Sequence, residues 1–177
     1  MTTIDTRSIR LILIDDHAMF RDGLACLLER ESGMVVAGCF GSTGDALDAL
    51  PGLDANMILL DYNLGAERTL DFVAAAKTCG FTGAILMVTA GLTNPEAVQL
   101  IGAGVRGIVH KHNSPETLSM MLGWARDLKS LITSTGIDPK YNIWVELLLE
   151  ERQLLFMFFT IAARILLAII AAPFTSR

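Results

Sequence analysis

Three carboxylates stand where two apolar runs end: Asp15 and Asp16 close Leu11-Ile12-Leu13-Ile14, and Asp61 closes Met57-Ile58-Leu59-Leu60. Strands apolar on both faces belong to a buried parallel sheet, so the three acids should meet at its carboxyl edge. Carboxylates that close repel one another. A hard divalent cation would neutralise them, and Mg²⁺ suits because it uses few carboxylates and leaves room for a phosphate oxygen. The alternative is that each acid merely caps the helix after its strand. Two further strand ends argue for chemistry, because Thr89 closes Ala84-Ile85-Leu86-Met87-Val88 and Lys111 closes Gly107-Ile108-Val109-His110. Either alone would be ordinary, Thr89 as a strand former and Lys111 as a solvated strand end. Together, a hydroxyl and an ammonium beside three acids and a metal make a phosphoryl-transfer site with Asp61 as nucleophile.

The chain resembles a known family at this point, the receiver domains of two-component response regulators, over residues 9–132. The matching stretches are Leu13-Ile14-Asp15-Asp16-His17, Phe20-Arg21-Asp22-Gly23-Leu24, Leu59-Leu60-Asp61-Tyr62-Asn63-Leu64, Val88-Thr89-Ala90, and Gly104 to Lys111 followed by Ser114-Pro115-Glu116. The Asp-Asp-His opening with Arg-x-Gly-Leu is similar to the subgroup that carries a LuxR-type DNA-binding domain. The resemblance implies that Asp61 accepts a phosphoryl group from a sensor histidine kinase or phosphotransfer protein. It implies that Asp15, Asp16, Asp61 and the backbone carbonyl of Asn63 hold Mg²⁺, that Thr89 moves toward the phosphoryl group, and that Lys111 bridges to it. The chain departs from the family at Gly65 and Thr69, where receivers usually have proline and glycine. It departs again at Ile108, where an inward-rotating aromatic is frequent, and at His112, where proline is frequent. His17 and His110 flank the site without ligand-like spacing and read as surface or loop histidines.

The elements that must position these residues form a repeating βα pattern. Helices are expected over residues 17–31, 44–50 and 67–79, the last ended by Gly80, with a strand over 34–40. Asn94-Pro95-Glu96 and Ser114-Pro115-Glu116 each read as a cap, a proline in the first turn and an acid at the positive end of the helix dipole. Strands alternating with helices imply an α/β fold, a doubly wound five-stranded parallel sheet of order 2-1-3-4-5, flavodoxin-like, whose switch point carries Asp15, Asp16 and Asp61.

At 177 residues the chain has room for one such domain and an extra segment. Cys26, Cys39 and Cys79 lack paired spacing and read as small buried side chains in a reducing, cytoplasmic compartment. Residues 1–10 lack the apolar stretch of a signal peptide. A net charge of -5 opposes nonspecific binding to nucleic acid.

The C-terminal segment divides into a linker over 133–142 and an apolar helical tail over 143–177. Residues 154–174, interrupted mainly by Thr160 and Arg164, are long enough to cross a bilayer core of about 30 Å, which would bring the chain to the inner membrane. The polar stripe Glu146, Glu150, Gln153, Thr160 and Arg164 suits a packed helix or a homodimer at least as well. Glu151-Arg152-Gln153-Leu154 resembles the entry to a LuxR-type helix-turn-helix, but the glycine turn, the following helices and the positive charges are missing. DNA binding by this chain is therefore not expected, and the tail reads as a remnant of a truncated or degenerate effector. Three function classes follow: a phosphorylation-controlled switch, favoured; a DNA-binding transcriptional regulator; and an Mg²⁺-dependent aspartyl-phosphate hydrolase. The last is opposed by Asn63, which stands where a hydrolase needs a second acid.

Overall fold

A computed structural model describes residues 8–65, 69–114, 116–123 and 125–126. The elements run β1 (Ile9–Ile14), α1 (Ala18–Leu28), β2 (Met34–Phe40), α2 (Thr43–Ala49), β3 (Met57–Asp61), α3 (Thr69–Thr78), β4 (Ala84–Thr89), α4 (Asn94–Gly102) and β5 (Gly107–His110). Residues 116–123 and 125–126 are helical and are termed α5. The linker and the apolar tail lie outside the described residues. No helix among the described residues is long and apolar enough to cross a membrane.

All strand pairings are parallel, and the order is β2-β1-β3-β4-β5, as the sequence pattern leads one to expect. Every residue of the inner strands β3 and β4 is buried, which is why both read as unbroken apolar runs. β2 and β5 are the edge strands, and β2 is only partly buried, with Val35 and Cys39 exposed. Its register against β1 slips between Leu11 and Ile12, so that Leu11 faces Val36 and Ile12 faces Gly38.

Strand alternation divides the core. Leu11, Leu13, Met57, Leu59, Leu86, Val88 and Val109 pack with Leu24 and Leu28 of α1 and with Leu118, Leu122 and Ala125 of α5. The intervening residues Ile12, Ile14, Ile58, Leu60, Ile85 and Met87 are equally buried and lie on the opposite face by this alternation. Each methylene removed from water there contributes about 0.8 kcal/mol, which fixes the register and hence the positions of the strand ends.

Two expectations need correction. The cap of α4 is Thr93, one residue earlier than Asn94: Glu96 Oε2 accepts from the Thr93 backbone N–H at 2.8 Å and from its hydroxyl at 2.6 Å, the return half of a capping box. Cys26, Cys39 and Cys79 are exposed rather than buried. They stand on the outward side of α1, on the edge strand β2 and just past α3, where helical or strand context does not imply an inner face. Helix α1 stops at Leu28, α2 covers Thr43–Ala49, and α3 ends at Thr78 before Gly80, whose φ of 87° suits a helix terminator.

Candidate functional site

The strand ends bring Asp15, Asp61 and Lys111 into direct contact at the carboxyl edge. Lys111 Nζ donates to Asp15 Oδ2 at 2.8 Å and to Asp61 Oδ2 at 2.9 Å. It also lies 4.7 Å from the centre of the Phe20 ring, whose face attracts the ammonium. Asp61 is 1 % exposed and Asp15 4 %. Two buried acids are therefore held by one cation. Burial draws the Lys111 ammonium down, but the hydrogen bonds and charges of Asp15 and Asp61 more than offset this and leave it above the ordinary lysine range.

Asp61 carries the strained electrostatics of the site. Burial pushes its carboxyl up, Lys111 pulls it down, the Asp15 charge pushes it up again, and the Asn63 backbone N–H lowers it; the balance leaves Asp61 above the usual aspartate value. Its Oδ1 is buried without a hydrogen-bond partner. An orphaned anionic oxygen of this kind fits a ligand to a cation.

Asp16 is the exposed member of the trio. One carboxylate oxygen each from Asp15, Asp16 and Asp61, together with a ring nitrogen of His17, fall within 4.8 Å of one another, so the donor set suits a divalent ion. The His17 side chain is 67 % exposed, as a surface histidine should be, yet its Nδ1 stands 2.8 Å from Asp16 Oδ1 and 3.3 Å from Asp15 Oδ1. Sequence spacing gave this residue no part in the cluster, although its place directly after two acids was a signal. His110 ends β5 and is half-buried, and it is not a member of that group.

Thr89 lies at the site but its hydroxyl is engaged elsewhere. Its Oγ1 donates to the Gly91 carbonyl at 2.9 Å and accepts from the Gly91 N–H at 3.0 Å. The Asn63 side chain is exposed in the loop after β3.

Two residues that sequence reasoning did not assign complete the surroundings. The Arg21 guanidinium donates from Nη1 to the Asp15 backbone carbonyl at 2.7 Å, fixing the turn that carries the acids. Tyr62, next to Asp61, donates its hydroxyl to Glu96 Oε1 at 2.8 Å, while its backbone carbonyl accepts from the Thr69 hydroxyl at 2.9 Å. Thr69 is one of the positions that depart from the family pattern, and it ties α3 to the residue that follows β3.

A family model described as the response regulator receiver domain matches residues 11–122. The nitrate/nitrite response regulator protein NarP of Escherichia coli is 33 % identical over 109 residues, covering 62 % of this chain and 51 % of that protein. The transcriptional regulatory protein UhpA of Salmonella typhimurium is 32 % identical over 111 residues, 62 % of this chain and 55 % of that one. The chain thus spans about half the length of these curated relatives. Among solved structures, the signal receiver domain of a response regulator NarL from Mycobacterium tuberculosis superposes with a TM-score of 0.62 at 20 % identity, over 68 % of this chain and 97 % of that one. A CheY-like receiver domain protein from Methanospirillum hungatei gives 0.63 at 20 % identity, over 70 % and 98 %. At that identity the structural likeness establishes the fold.

Proposed function

This chain belongs to the response regulator receiver family, and from that membership we propose that it is the phosphoryl-accepting switch of a two-component relay, with Asp61 as acceptor. The observation that carries the assignment is the bridging of Asp15 and Asp61 by Lys111 while Asp61 Oδ1 has no hydrogen-bond partner. Asp15, Asp16 and Asp61, with the Asn63 backbone carbonyl, would hold Mg²⁺; when bound, it neutralises charge on the phosphoryl oxygens. A carboxylate oxygen of Asp61 attacks the phosphorus of a phosphohistidine donor. The phosphorus–nitrogen bond breaks as the oxygen–phosphorus bond forms, leaving the electron pair on the donor imidazole. Lys111, already on Asp61, passes to a phosphoryl oxygen. The Thr89 hydroxyl exchanges its bond to Gly91 for one to the same group.

The partner under this reading is a sensor histidine kinase or a phosphotransfer protein, the setting is cytoplasmic, and the result is a shift between two conformations rather than turnover. A hydrolase reading has less support, because Asn63 cannot protonate a leaving group.

The test is treatment of the folded chain with acetyl phosphate and Mg²⁺, followed by intact mass. Wild type should gain one acid-stable, base-labile phosphoryl group and Asp61→Ala none. A folded wild type that stays unlabelled would overturn the assignment, and steady release of phosphate from small esters would favour the hydrolase.

A further inference from the structure

His17 belongs to the acidic cluster, yet the phosphoryl-acceptor reading leaves it unused. It stands at the N-cap of α1 but makes no side-chain capping bond. Instead its ring faces the acids, while its backbone N–H donates to Asp15 Oδ1 at 2.8 Å and fixes the residue in place. The separations from Nδ1 are 2.8 Å to Asp16 Oδ1 and 3.3 Å to Asp15 Oδ1. Neighbouring ligands of an octahedral ion with bonds of about 2.1 Å stand about 3.0 Å apart, and those of a tetrahedral ion with bonds of about 2.0 Å stand about 3.3 Å apart. Both His17 separations are ion-pair contacts in the free site and are also short enough for one ion to bridge the ring and the carboxylates.

An independent observation at Asp61 points the same way. Lys111 takes Oδ2 of both Asp15 and Asp61, and Asp61 Oδ1 is buried with no hydrogen-bond partner. The ammonium thus engages one oxygen of each buried acid; Asp61 Oδ1 is left without a partner, and Asp15 Oδ1 accepts from the His17 backbone N–H. Asp15 Oδ1, one of the two left over, is the oxygen that His17 approaches.

We propose that His17 is a nitrogen ligand of this cation site, so that the site prefers borderline transition ions such as Ni²⁺, Co²⁺ and Zn²⁺ over Mg²⁺ by more than its carboxylates alone would give. Imidazole suits these ions, whereas hard Mg²⁺ gains little by exchanging water for nitrogen. Ligation of this kind uses the Nδ1 lone pair, with the ring proton on Nε2. The inference rests on the acid cluster binding a cation, as the proposed function requires.

The experiment is calorimetric titration of the full chain with Mg²⁺ and with Ni²⁺, combined with pulsed EPR of the Mn²⁺-loaded protein. Wild type, His17→Gln and His110→Gln are compared, with circular dichroism confirming that each is folded. His17→Gln should weaken Ni²⁺ by about tenfold or more, a typical loss on disturbing a metal site, while Mg²⁺ changes by less than about twofold. Nitrogen modulation of the Mn²⁺ signal should be present in wild type and His110→Gln and absent in His17→Gln. Unchanged Ni²⁺ affinity in His17→Gln, equal weakening of both ions, or persistent nitrogen modulation overturns the proposal. If Mg²⁺ binding and Asp61 labelling survive that result, only the role of His17 falls; if folded wild type binds neither ion, the phosphoryl-acceptor reading falls with it.

Discussion

The Tyr62 hydroxyl donates to Glu96 Oε1 at 2.8 Å, joining the residue after the proposed acceptor to the first turn of α4. Glu96 in turn holds the backbone and hydroxyl of Thr93, so a single carboxylate ties the loop after β3 to the α4 cap. Tyr62→Phe keeps the ring and deletes only this tie. We expect a slightly lower unfolding midpoint and faster hydrogen exchange at the amides of Asn94, Glu96 and Ala97, with Asp61 labelling retained. Unchanged exchange at those amides would show that the bond does not restrain the helix.

The same carboxylate sets a pH dependence. The Thr93 hydroxyl bond, then the Thr93 backbone bond and the Tyr62 hydroxyl, hold Glu96 below the usual glutamate value. A group whose folded value is lowered stabilises the fold above its unfolded pKa and loses that contribution as pH falls through the folded one. Wild type should therefore exceed Glu96→Gln in stability above the ordinary glutamate range. The difference should shrink toward zero in acid, as read by urea unfolding at a series of pH values.

Asp61 has the opposite sign. Burial is the main reason its carboxyl lies above the usual value, so in Mg²⁺-free protein its contribution is fully present below the unfolded pKa and is lost as pH rises through the folded one. Asp61→Asn should raise the thermal midpoint at neutral pH without Mg²⁺, by an amount that narrows in acid. A lower midpoint for the variant at neutral pH would mean that the Lys111 bond outweighs the cost of burying the charge.

Glycine replacements separate backbone strain from lost contacts. Gly33 has φ +81° with open space where a Cβ would go, whereas Gly104 has φ +94° and its Cβ would strike the Lys77 side chain. Lys77 Nζ donates to the Ala103 carbonyl at 2.6 Å, closing the end of α4. Gly33→Ala should cost about 1 kcal/mol from strain alone. Gly104→Ala should cost about 2 kcal/mol because that hydrogen bond goes as well. Denaturant midpoints of the two variants measure the gap.

Strand order and the meeting of Asp15, Asp61 and Lys111 were legible because β3 and β4 are buried on both faces and leave an unambiguous apolar signature. What a linear pattern could not convey was side-chain direction at strand ends. Thr89 reads as a site residue, and its hydroxyl is bonded to Gly91, a partner the linear pattern does not name. His17 reads as a surface residue, which its exposure supports, but its ring turns onto the acids. The Thr93 cap was missed because Asn94 is an equally good capping type, and only the Glu96 bonds decide between them. The cysteines were misjudged because element membership does not reveal which face a residue occupies.

Lys111 stands 96 residues after Asp15 and 50 after Asp61, just past β5, the last strand among the described residues and one of the two edges of the sheet. Chain growth therefore delivers the opposed acids first and their internal counter-cation last. Without β5 the two buried carboxylates have no internal cation between them, so that strand brings both edge closure and charge balance. The lysine thereby makes the internal charge balance of this pocket depend on the strand at the far edge of the sheet from β2.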